Sequence, residues 1–347
     1  MRCTFLVGSL CVLSACGGSD TGSGLGEPTA DAPPLVGDMF TMTWGPVNVP
    51  PGEENTKCMW IRLANDTPLK VHQLHNLLSA SSHHLIVYRD NHDTTEQATP
   101  IDCQPFTGAL NQSGMIAPMV ITQKQDDELT LPDQVAYTLA PHQMIKLEMH
   151  YINSTDTAAM ATATVNFFKA DEATIKYEAD ILFMGSLDIG TCNGCTPIPA
   201  GQSATLHQFL TIPSYLDLSQ SHIYAITGHT HKLGTDMQVR VAPSAMGPMT
   251  PVYKPNPFVW SEPLTAVHRP AFSVPVDGGL DFECSWTNTT NAEVKLGESA
   301  NAEMCFFWAY YYPSQGSKFC AHTQRYGGVN GLNICCPDDS LCSMINF

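Results

Sequence analysis

Long stretches with a 3.6-residue apolar period are scarce in this chain, and that scarcity constrains its fold more than any other feature. Short runs rich in β-branched and aromatic residues take their place, separated by turn formers. Glycine and proline number 25 each in 347 residues. This pattern predicts an all-β chain with many turns. Strands are expected at 56–63, 69–78, 81–89, 144–153 and 161–170, then at 179–187, 205–211, 223–231, 236–241, 280–286 and 304–312. The length suffices for two domains, each with its own core. The chain turns polar near 172–177, which sets the expected boundary: residues 37–176, then 177–347. The polar segment 90–102 reads as loop. The tail from Cys320, with four cysteines and Pro337, reads as stapled rather than regular.

The first 36 residues read as a targeting segment and tether. Arg2 supplies a positive end, 5–13 is a short apolar run, and Leu13-Ser14-Ala15-Cys16 resembles a bacterial lipobox. The resemblance implies cleavage before Cys16 and lipidation of that cysteine. Gly17 in the next position, rather than Asp, points to the outer membrane. The run is too short to span a bilayer, so the expected membrane contact is the lipid anchor alone. Residues 17–26 form a flexible linker and 28–34 its stiffer end. The net charge of −17 excludes the clustered cationic surface that a nucleic-acid backbone requires.

Thirteen cysteines are present. Cys3 and Cys11 would leave with the leader, and Cys16 would carry lipid. Ten remain, an even number, which in an exported chain points to disulfides. Cys192-Asn193-Gly194-Cys195 has a rival reading as a zinc or redox site.

The histidines carry the chemistry. In Gly228-His229-Thr230-His231, imidazoles at i and i+2 share one face of a strand and can reach one metal ion. His83 and His84 open a strong strand as neighbours, and on a regular strand they would face opposite ways. Sharing a metal therefore requires an irregular strand start there. In 144–153, Ile145, Leu147, Met149 and Tyr151 form the apolar phase, and His150 lies on the other phase with Lys146 and Glu148. Met304, in Glu303-Met304-Cys305, offers a thioether, a soft donor suited to Cu(I). Two imidazoles and a thioether would hold Cu(I) and admit O2. Three imidazoles would suit a copper that shuttles one electron. His72, His75, His92, His142, His207, His222, His268 and His322 read as surface or hydrogen-bonded residues.

Taken in order, His83-His84, Leu147-Glu148-Met149-His150-Tyr151, His229-Thr230-His231 and Glu303-Met304-Cys305 resemble the copper type II, ascorbate-dependent monooxygenases over about residues 40–315. The resemblance implies two tandem antiparallel jelly-roll β-sandwich domains facing each other across a solvent-filled cleft. It implies an electron-transfer copper on His83, His84 and His150, and a catalytic copper on His229, His231 and Met304. It further implies disulfides Cys284–Cys305 and Cys58–Cys103. The implied co-reactants are O2 and ascorbate or another one-electron donor, acting on a small-molecule substrate. Peptide-amidating members carry Arg two residues before the first His of the HxH pair; here Thr227 stands there. Phe306, Trp308 and Glu148 also depart from the family pattern and are candidates for the substrate pocket. A non-catalytic copper lipoprotein of the envelope would use the same ligands.

Overall fold

The computed structural model describes residues 39–106, 115–326 and 331–342. The expected leader and tether, with Cys16, the residue expected to carry lipid, lie outside the described residues. The described chain is all-β, with two short 3-10 turns and no α-helix. No described helix is long and apolar enough to cross a membrane.

Four sheets form two sandwiches. One six-stranded sheet runs Met39–Val49, Ala159–Lys169, Leu69–Leu78, Val135–Leu139 and Tyr177–Glu178, with Asp126–Thr130 also paired to Leu69–Leu78. Against it lies a five-stranded sheet: Gln97–Asp102, Glu54–Arg62, Met144–Ile152, Ser82–Asp90, Ile116–Thr122. In the second half a six-stranded sheet runs Thr265–Phe272, His222–His229, Phe306–Tyr312, Asp180–Ser186, Lys318–Thr323 and Leu332–Cys336. Its partner sheet orders Ser203–Thr211, Gly279–Thr287, Gly234–Ala242 and Thr250–Tyr253.

The strand Phe306–Tyr312 shows why the sequence reads as it does. Its run Phe-Phe-Trp-Ala-Tyr-Tyr-Tyr has no polar alternation because both faces of its sheet are covered. Phe306, Trp308 and Tyr310 join the core of the first sandwich, whereas Phe307, Ala309 and Tyr311 join the core of the second. The Tyr310 hydroxyl donates to the carbonyl of Ile121 and accepts from its N–H. The apolar core therefore continues past residue 177.

Two expectations are corrected. The 90–102 segment contains the strand Gln97–Asp102, paired with Glu54–Arg62. It is an edge strand whose residues are mostly exposed, so no apolar alternation marks it. The tail is regular as well as stapled. Leu332–Cys336 pairs antiparallel with Lys318–Thr323, which lies parallel to Asp180–Ser186.

All ten remaining cysteines are paired: Cys58–Cys103, Cys192–Cys195, Cys284–Cys305, Cys320–Cys335 and Cys336–Cys342. The Cys192-to-Cys195 segment thus forms a disulfide rather than a zinc site.

Candidate metal centre

His83 and His84 reach one side of their sheet through a break in register. Ser82 pairs with Tyr151 and His84 with His150, leaving His83 as an extra residue in the strand. A bulge at this point lets neighbouring side chains converge. His150 faces them from Met144–Ile152, on the phase opposite Ile145, Leu147 and Met149. Ring nitrogens of His83, His84 and His150 lie within 4.8 Å of one another, and all three residues are buried.

The second pair is built differently from the sequence expectation. The strand His222–His229 ends at His229, and His231 sits in the turn beyond it. The two rings nevertheless meet edge-on, centroids 5.1 Å apart. Gly234 closes this turn, its N–H donating to the carbonyl of His231 at 3.0 Å. A Cβ there would collide with the Thr230 side chain, so the close approach demands glycine.

Glu303 organises the segment that leads to Met304. Its carboxylate accepts from the N–H of His231 at 2.9 Å and of Leu233 at 2.8 Å. It also accepts from Trp286 Nε1 at 2.8 Å and from the N–H of Met304 at 3.3 Å. One buried side chain thus ties the His231 turn to the Met304 backbone. The Cys284–Cys305 disulfide anchors the next residue to the partner sheet. Burial pushes the Glu303 carboxyl up to about 7, against four hydrogen bonds that favour its ionised form.

Each of three imidazoles has one nitrogen committed and the other directed elsewhere. His150 Nε2–H donates to Glu54 Oε1 at 3.1 Å. His229 Nδ1–H donates to Gln123 Oε1 at 2.9 Å, and His231 Nδ1–H to the carbonyl of Ala302 at 3.2 Å. Histidines that bind metals are oriented in this way, with an outer acceptor fixing the tautomer. Nε2 of His229 and His231, Nε2 of His83 and both nitrogens of His84 are buried without a hydrogen-bond partner. Unpaired buried polar atoms are costly, and their convergence fits a bound cation. Burial drives the pKa of His83 down to about 3 and that of His231 to about 4, and those of His84 and His229 well below the usual value. Neutral imidazole is the metal-binding form. The donors suit copper: three imidazoles converge in one set, and in the other two imidazoles stand beside a segment in which the Glu303 carboxylate holds both the His231 and the Met304 N–H groups.

The two sets are not separated by an open cleft. His83 lies 6.4 Å from His231 and His84 lies 6.4 Å from His229, centroid to centroid. Two side chains hold this closed arrangement. Gln123 reaches from the first half to His229 in the second. Glu54 accepts from His150 in its own half and from the N–H of Ala300 at 2.8 Å in the other. The His150 hydrogen bond holds the Glu54 carboxyl down at about 2. Phe106 fills the space between, 5.0 Å from His84 and 6.5 Å from His229.

A cavity of about 200 Å³ adjoins Met304, and Phe306 lines it. The other three pocket candidates lie elsewhere. The Thr227 hydroxyl is engaged by Thr265 at 2.9 Å. Trp308 is buried 5.8 Å from the His229 ring. Glu148 accepts from Lys146 Nζ at 3.0 Å, Tyr88 Oη at 3.1 Å and the N–H of Phe106 at 2.6 Å. Sequence reasoning missed Glu54, Gln123, Phe106, Phe183 and Glu298. Each is a single residue outside any motif, brought to the site only when the chain folds.

A family model described as the C-terminal domain of copper type II ascorbate-dependent monooxygenases matches residues 177–329, the stretch holding His229, His231 and Met304. No curated protein matches the chain. Among solved structures, the major capsid protein P2 of bacteriophage PM2 is similar at 9% identity and a TM-score of 0.33, covering 80% of this chain and 100% of that one. A structure of the Gt strain of infectious bursal disease virus is similar at 9% identity and a TM-score of 0.12, covering 80% of this chain and 73% of that one. Neither likeness is close enough to bear on fold or function. Residues 177–329, which include the HxH pair and Met304, are thus similar to the C-terminal domain of the copper type II ascorbate-dependent monooxygenases.

Proposed function

We propose that the protein is a copper-dependent monooxygenase that hydroxylates a C–H bond of a small substrate, using O2 and ascorbate or another one-electron donor. The observation that carries this reading is the convergence of buried, neutral imidazoles with free nitrogens in two sets, one of them inside the matched family domain. His83, His84 and His150 would hold an electron-transfer copper, and His229, His231 and Met304 the catalytic copper. Bound copper would supply one-electron transfer and O2 activation: O2, two electrons and two protons convert the C–H bond to C–OH and release one water. The chain's own groups orient and shield. Gln123, Glu54 and the Ala302 carbonyl fix three ring tautomers, Glu303 ties the Met304 segment in place, and Phe106 excludes water from between the rings.

The same proposal places residues 37–176 and 177–347 as two domains, one for each copper. It places the protein outside the cytoplasm, lipid-anchored through Cys16 in the envelope. A second reading, copper storage or acquisition without catalysis, is favoured by the burial of all five rings.

The test is copper stoichiometry on leaderless protein, with Met304→Ala and His83→Ala alongside. Two coppers in the parent and one in each variant are expected, together with ascorbate-driven O2 uptake that Met304→Ala abolishes. Two coppers without O2 uptake for any substrate in a broad screen would favour storage. No copper would end both readings.

A further inference from the structure

The cavity beside Met304 is walled by rings. Phe183 stacks on Phe306 with centroids 5.1 Å apart and planes at 16°, and Phe106 lies 5.7 Å from Phe183. Leu187 and Leu296 complete the apolar lining. The volume of about 200 Å³ has room for roughly one substituted ring, since an apolar cavity of about 150 Å³ holds a benzene.

One feature of this cavity does not fit an apolar core. Glu298 lines it, and its Oε2 is buried without a hydrogen-bond partner. The other buried carboxylates of this half are richly served. Glu303 has its four donors, and Asp188 accepts from Gln208 Nε2, Thr323 Oγ1 and the N–H groups of Gln324 and Arg325. Arg325 also lines the cavity, but its guanidinium donates to the Ile189 carbonyl at 3.4 Å rather than to Glu298. A buried acceptor left open beside a cavity of ligand size needs a partner from outside the chain.

The charge of that partner follows from its surroundings. Burial, with Glu148 adding its negative field, pushes the Glu298 carboxyl up to about 8, so it is largely protonated at neutral pH. A buried ammonium would then meet a protonated Glu298 and a Glu148 already paired with Lys146, and a buried carboxylate would find only Arg325, whose guanidinium is engaged by the Ile189 carbonyl. A hydroxyl can both give a hydrogen bond to a carboxyl group and take one from it, and it is neutral.

We propose that Glu298 is a specificity-determining residue, and that this cavity takes a neutral, single-ring apolar substrate whose hydroxyl pairs with the Glu298 carboxyl. The inference rests on the hydroxylase reading, which makes the space beside Met304 the place where substrate lies. It adds the substrate's class and the residue that selects it.

Titration calorimetry on the full chain, copper-free and copper-loaded, at pH 7, would test it with three probes on one ring: benzyl alcohol, benzylamine and benzoate. Benzyl alcohol is expected to bind roughly tenfold more tightly than either ion. Glu298→Leu should weaken alcohol binding by roughly tenfold, and Glu298→Gln, which still gives and takes hydrogen bonds, should keep it within about threefold of the parent. Tighter binding of benzylamine, lost in Glu298→Gln, would replace the neutral site with a cation site and overturn the proposal. Preference for benzoate would do the same, with Arg325 as the reader. Equal binding by parent and Glu298→Leu, or none by the parent, would also overturn it. The parent's three-probe comparison stands even where a variant fails to fold. Two coppers without alcohol binding would sink the pocket alone. Alcohol binding without copper would sink the monooxygenase reading and leave a ring-binding site.

Discussion

Gln123 Oε1 takes the Nδ1 proton of His229, and that contact decides which nitrogen of the ring is left for a metal. Gln123→Ala should lower the Cu(I) affinity of the His229 site by about 10–100-fold while leaving the His83 site intact, read by chelator competition. A second residue-level expectation concerns pH. Glu298 has a folded pKa of about 8 against an ordinary 4.5. As pH rises through that interval the unfolded chain gives up this proton first. The group's contribution to stability is therefore full below 4.5 and lost by about 8. The thermal midpoint of the parent should fall across this window relative to Glu298→Gln, by scanning calorimetry, and the two curves should run parallel outside it. The histidines themselves were legible because paired imidazoles at short spacing leave a mark in the sequence. Gln123, Glu54 and Glu298 were not, because one polar residue in a turn or at a strand end looks like any other until the chain folds around it.

At the scale of elements, legibility followed burial. Strands with one or two covered faces announce themselves, as Leu69–Leu78 and Phe306–Tyr312 do. Edge strands such as Gln97–Asp102 expose residues on both faces, polar and apolar alike, and their hydrogen bonds leave no trace in composition. The i, i+2 spacing of the HxH pair implies one strand face, whereas the strand stops at His229 and a turn delivers His231. The spacing was informative and its geometric cause was different. The Cys284–Cys305 disulfide joins two elements directly beside Met304 and closes a 21-residue separation. Replacing both cysteines with serine should lower unfolding free energy by about 3 kcal/mol in urea titrations. It should also weaken copper binding at the Met304 site more than at the His83 site, since only the former loses its anchor.

For the molecule as a whole, the shared core has a measurable consequence. Phe183, Trp308 and Tyr310 belong to the same apolar cluster as Trp44, Tyr88 and Tyr151 of the first half. One cooperative calorimetric transition is therefore expected for residues 37–347 rather than two. A fragment spanning residues 177–347 alone would expose the face that carries Phe183, Phe306, Trp308 and Tyr310, and should aggregate on expression unless the first half is supplied.

The crossing of Gln123 to His229 and of Glu54 to Ala300 also bears on how such a chain can change over generations. A gene exchange that replaced one half with a homologous half would carry over that half's ligands but drop the acceptor that orients a ring on the other side. Substitutions at 54 and 123 are thus answerable to residues more than a hundred positions away, and the two halves should tolerate change best when they change together.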